Sequence, residues 1–171
     1  MIRWIALLCI GLSSSALAQT LVYPGGGPRR TADVLRVTAD VSQSTVVFAD
    51  VTGLTFVVTS GATYSFACFL TYTTAVSTTA LELSLNGPAT TALDYEVLTA
   101  TAATTIHNAV QTAYDTVTTP ATSGGATRLR VALSGSLIPS AAGTLAVRYR
   151  SEVGTSAVTI LRGSWCQIHT Q

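Results

Sequence analysis

Tyr64-Ser65-Phe66-Ala67-Cys68-Phe69-Leu70-Thr71-Tyr72 decides the fold class of this chain. Its apolar residues at 64, 66, 68, 70 and 72 alternate with Ser65, Ala67 and Thr71, the period of two that gives a strand one buried face. Phe69 interrupts the small, polar side and is placed to meet a partner or a second layer. The same alternation recurs outward from this run. Leu81, Leu83 and Leu85 alternate with Glu82, Ser84 and Asn86, and Asn86-Gly87-Pro88 then stops the strand with turn residues. Leu129, Val131 and Leu133 alternate with Arg128, Arg130 and Ala132, and Leu145, Val147 and Tyr149 with Arg148 and Arg150.

Further strands are expected over residues 45–49, 54–59, 93–99, 105–114 and 157–162, separated by turn signals at Thr52-Gly53, Ser60-Gly61, Ser123-Gly124-Gly125, residues 139–143 and Gly154. Threonine supplies β-branching almost throughout, and no segment carries a capped helical period. About nine short strands at this spacing predict an all-β, antiparallel two-sheet sandwich, jelly-roll-like, with an extended N-terminal arm. Such a body has edges to protect, and charged residues make up only 10% of the chain. Neighbouring subunits are therefore expected to cover some edges or faces.

Three segments follow from composition. Residues 1–18 form a signal-like apolar leader or an assembly arm: Arg3 starts it, an apolar run follows, and Ala16-Leu17-Ala18 fits a cleavage site before Gln19. The run is shorter than the ~20 residues of a membrane-spanning helix, so no stable membrane span is expected. Residues 19–40 form a linker arm rich in Gly and Pro, in which Pro24 and Pro28 bracket three glycines. Residues 41–171 form the β-sandwich domain. The net charge of +1 excludes a basic nucleic-acid binder. All nine basic residues are arginine, whose planar fork suits contact with partners better than lysine.

No catalytic, cofactor-binding or metal-ligating set stands out. His107 and His169 sit in no ligand spacing, and no Gly-x-Ser-x-Gly elbow is present. Asp94 and Glu96 share one face of a strand, which a glycosidase would need, although a solvent-facing pair is the commoner outcome. Cys68 and Cys166 remain once the leader is removed, and two readings stay open: a disulfide in an exported chain, or two small buried core residues. Trp165 is expected in the core, and Tyr23, Tyr72, Tyr95, Tyr114 and Tyr149 in strand interiors, interfaces or sugar-stacking surfaces. Candidate interface residues are Arg29, Arg30, Phe69, Arg148, Arg150 and Glu152.

Asp50-Val51-Thr52-Gly53-Leu54-Thr55-Phe56, then Tyr64-x-Phe66 leading to Leu70-x-Tyr72, resembles a module of tailed-bacteriophage virion structural proteins. Asn86-Gly87-Pro88, Arg148-Tyr149-Arg150-Ser151-Glu152-Val153 and Gly163-Ser164 fit the same pattern, so the resemblance runs from Val41 to the C-terminus. It implies a head decoration or a tail fibre or spike element, without catalytic residues, that associates with itself, as a trimer, and with other virion proteins. The leader departs from that setting and points to the alternative, an exported bacterial β-sandwich adhesin or carbohydrate-binding module, secreted or at the cell surface.

Overall fold

The computed structural model describes residues 32–118 and 125–171. The leader, most of the linker arm, Tyr23, Arg29, Arg30 and the Ser123-Gly124 part of one turn signal lie outside the described residues. Eleven strands follow in chain order: β1 (Ala32–Arg36), β2 (Val41–Gln43), β3 (Ala49–Val58), β4 (Tyr64–Thr74), β5 (Leu81–Asn86), β6 (Thr90–Ala100), β7 (Ile106–Gln111), β8 (Leu129–Pro139), β9 (Gly143–Ser151), β10 (Val158–Ile160) and β11 (Trp165–Thr170). They form two antiparallel sheets. The larger runs β1-β11-β4-β8-β6-β7, with β2 and β10 continuing the β1 and β11 positions, and the smaller runs β3-β9-β5.

One ladder organises both sheets. Ala32 pairs with His169, Val41 with Ile160, Phe56 with Leu145 and Cys68 with Leu133. In each pair the two residue numbers add to the same total. β1 with β11, β2 with β10, β3 with β9 and β4 with β8 are thus successive rungs of a single long hairpin. Rolling that hairpin up places β4 against β11 and β5 against β9, which is the jelly-roll-like scheme. The rungs are interrupted between Asp50 and Thr55, where Gly53 takes φ 90°. Thr52-Gly53, expected as a turn, is instead an irregularity inside β3; a Cβ on Gly53 would lie 3.1 Å from the Arg36 carbonyl oxygen.

Three further strand expectations are corrected. Residues 45–48 belong to no strand and lead into β3, whose Ala49 is its first residue. The run expected over 105–114 ends at Gln111. Residues 32–36, expected in the linker arm, form β1 on β11, and β2 and β11 are strands beyond those the alternation predicts. Each of β1, β2 and β11 is three to six residues long, too short for alternation to be distinctive.

The core lies between the sheets. Leu70, Tyr72, Tyr95, Leu133 and Leu137 of the large sheet meet Leu54, Leu81, Leu83, Leu85 and Leu145 of the small one, all of them fully buried. The Tyr72 hydroxyl donates to the Ala100 carbonyl at 2.7 Å, and burial pushes its phenol up to about 12. Tyr95 reaches across to Ser84 Oγ at 3.0 Å and donates to the Ala113 carbonyl at 3.1 Å. Residues 113–118 thereby settle along the free edge of β5, where Asp115 N–H donates to Leu85 O at 3.0 Å. A loop of the chain itself covers this edge, one of the natural devices against edge pairing.

Close approach of β6 to β8 demands glycine at one rung. A Cβ at Gly135 would stand 2.2 Å from the Asp94 carbonyl oxygen and 2.7 Å from Tyr95 Cα. Both are backbone atoms that cannot swing aside. Gly135→Ala is expected to cost about 1–3 kcal/mol, the range for overpacking, read as a lower urea midpoint with an unchanged slope.

Candidate functional site

The outer face of the large sheet is the most distinctive surface among the described residues. Because β4 turns Tyr64, Phe66, Cys68, Leu70 and Tyr72 inward, Phe69 must point outward. On β11, Cys166 and Ile168 point inward, which sends Trp165 outward as well. This corrects the expected core position of Trp165, since the residue beside an inward cysteine in a strand faces the other way. Phe69 and Trp165 are paired in register, with ring centroids 5.0 Å apart.

The belt continues across the sheet. Phe69 pairs with Ala132, Ala132 with Leu98, and Leu98 with Asn108. Phe69 is 52% exposed, and Ile106 and Val110 on β7 are 67% and 64% exposed. Phe69, Trp165, Leu98, Ile106, Thr71 and Arg130 help line a shallow groove of about 450 Å³. On β1 the belt ends in the exposed Arg36, paired with Trp165; the other charges are segregated to its two sides. Arg128 and Arg130 are exposed toward one end. Toward the other, Asp94 is exposed opposite Ser136, and Glu96, opposite Ser134, accepts from Asn108 Nδ2 at 2.7 Å. Among the described residues, Arg128, Arg130 and Asp94 form no ion pair.

The second charged feature lies on the outer side of the small sheet and is ion-paired within the chain. Arg148 Nε stands 3.0 Å from Asp50 and its Nη1 2.7 Å from Asp115, while Nη2 donates to the Phe48 carbonyl at 2.6 Å. Arg150 pairs with Glu82, donates to the Val46 carbonyl at 2.7 Å, and lies 4.9 Å from the Phe48 ring centre. The alternation of β5 assigns Glu82 to a polar strand face, yet its side chain is only 2% exposed. The two arginines expected at an interface are thus held by the chain's own carboxylates and carbonyls. Glu152 is half-buried, its N–H donating to Ala80 O at 3.1 Å.

Cys68 and Cys166 face each other across β4 and β11, joined by a disulfide with both residues buried. His107 lies on β7 opposite Thr99 and His169 on β11 opposite Ser65. Among the described residues no three His, Cys, Asp or Glu side chains gather as a metal site. Tyr72, Tyr95 and Tyr149 are core residues. Tyr114 is half-buried, and burial, with Tyr95 beside it, pushes its phenol up to about 12. No helix among the described residues is long and apolar enough to cross a membrane.

Nothing in the sequence alone marks Arg130, Ile106 and Val110 as members of one surface. The signal for Arg130 was present in its alternation with Leu129 and Val131. Ile106 and Val110 read as ordinary strand residues, because only the pairing of β7 with β6 shows which of their faces is open.

No protein-family model and no curated protein matches the chain. Among solved structures, it is similar to a chain of the infectious bursal disease virus Gt strain, with a TM-score of 0.29 and 12% identity over 96% of this chain and 46% of that one. A chain of the infectious bursal disease virus VP2 subviral particle gives a TM-score of 0.26 and 14% identity, over 96% and 46%. A chain of the T=1 particles derived from infectious bursal virus gives 0.26 and 14%, over 96% and 44%. This chain spans less than half the length of each of them.

Proposed function

We propose that this chain is a non-enzymatic structural component of a bacteriophage virion, a capsid decoration or a tail- or fibre-associated protein, acting by self-association and by docking on neighbouring subunits. The observation that carries the reading is the outer face of the large sheet, where Phe69, Ile106 and Val110 are each more than half exposed beside Trp165. Folding leaves these side chains in water, and burying them against another macromolecule gains the free energy of removing apolar surface from water. The module-like motifs at 50–56, 64–72, 86–88 and 148–153 support the virion setting. The test is to image particles assembled with and without the gene for this chain. The reading expects density of its size on the complete particle and none on the deleted one; identical particles would overturn it.

A second reading is favoured by one observation, the Cys68–Cys166 bridge. Disulfides persist in exported proteins and at virion and cell surfaces alike, so the bridge joined to a cleaved leader would make the chain an exported adhesin or carbohydrate-binding module. The mass of the native chain separates the two: a start at Gln19 favours export, an intact Met1 favours assembly.

A further inference from the structure

The outer face of the large sheet is complementary to itself, and we infer that it packs face to face on a second copy of this chain about a two-fold axis. The inference rests on the self-association proposed above and names its surface. Ala132 and Leu98 are paired in register and mark the middle of the belt. From Ala132, Arg130 on β8 and Arg128 just before that strand follow at two and four residues on one side. Along β6 from Leu98, Glu96 and Asp94 follow at two and four residues on the opposite side, since Glu96 pairs with Ser134 and Asp94 with Ser136.

A two-fold axis along the belt, parallel to the sheet and perpendicular to the strands, reverses strand direction while keeping each strand over its own copy. Arg130 then faces Ser134 and Glu96 of the second copy, and Arg128 faces Ser136 and Asp94. Neighbouring strands are ~4.8 Å apart, a step that arginine's side chain spans. The same operation lays Trp165, Phe69 and Leu98 on their own counterparts. On β7, Ile106 is level with Ala100 and Val110 with Glu96, two residues either side of Asn108, so Ile106 of each copy meets Val110 of the other.

From β11 to β7 opposite charge meets opposite charge and apolar meets apolar in one orientation, while at the β1 edge the exposed Arg36, level with Trp165, meets its own counterpart. A self-complementary patch of this kind is what an isologous contact requires, and it fits a two-fold rather than the trimer expected from the sequence. Six strand positions at ~4.8 Å and about nine residues at ~3.3 Å make a face on the order of 800 Å². That matches the ~800 Å² per partner of a standard specific interface.

The test is sedimentation of the full chain and of two variants, Arg130→Glu and Glu96→Arg. Each variant alone sets like charges against each other at both ends of the contact and is expected to weaken association about tenfold or more. Mixed together they form two opposite-charge pairs, and the mixture is expected to recover wild-type association, which also shows that both fold. If the wild-type chain associates and each variant does so equally tightly, the contact lies elsewhere and this inference fails while self-association stands. Association lost only on deleting residues 1–31 would give the face to that segment and overturn the two-fold. A wild-type chain that never associates would remove the underlying reading itself.

Discussion

Replacing Cys68 and Cys166 together by alanine is expected to lower the unfolding free energy by roughly 4–5 kcal/mol, the chain-entropy value for so long a loop. The two residues are separated by 98 positions, so the bond removes a large share of the unfolded chain's freedom. Their place in the ladder adds a structural reason. β1 is held to the large sheet through β11, and β11 through β4. The bond ties β11 to β4 at the Cys68–Cys166 rung and so fixes the edge column that follows. Against a typical domain stability of about 5–15 kcal/mol the loss is severe. It should appear as a drop of about 2–3 M in the urea midpoint, with amide protection falling first in β1 and β11. A midpoint shared by oxidised wild type and double variant would contradict the prediction.

The second large effect is expected at Arg150. Arg150→Met leaves the Glu82 carboxylate, 2% exposed, without its guanidinium. It also removes the hydrogen bond to the Val46 carbonyl and the contact over the Phe48 ring. Breaking one side of a buried ion pair costs about 3–5 kcal/mol, because a charge is stranded away from water. Removing both charges avoids that penalty. The double variant Glu82→Met, Arg150→Met should therefore recover most of the loss, and a double-mutant cycle in urea measures the difference. Equal destabilisation in single and double variants would mean that packing of the arginine stem, not the stranded carboxylate, sets the cost.

Period two was legible wherever a strand is long and has one apolar face, as at 64–72, 129–133 and 145–149. There the structure buries the residues the pattern assigns to the core. Glu82 and Ser84 defeat the pattern because their outward face is not free. Residues 113–118 and the loop before β3 close over it, and a local period carries no information about a segment thirty residues away. For Trp165 residue type points to the core, but its face is set by the inward Cys166 beside it in the strand. The interface arginines show a related failure. Arg148 and Arg150 stand on the expected face, but Asp50, Asp115 and Glu82 come to them from three other parts of the chain. What remains outward, around Phe69 and Arg130, emerges only when β11, β4, β8, β6 and β7 are set side by side in register.

Sedimentation equilibrium of the native, oxidised chain across two decades of micromolar concentration tests most directly whether this sandwich works through its faces. Concentration-dependent growth from the 17.7 kDa protomer to twice the protomer mass is the predicted result. A single protomer-sized species at every concentration, with Trp165 and Phe69 left in water, would contradict it.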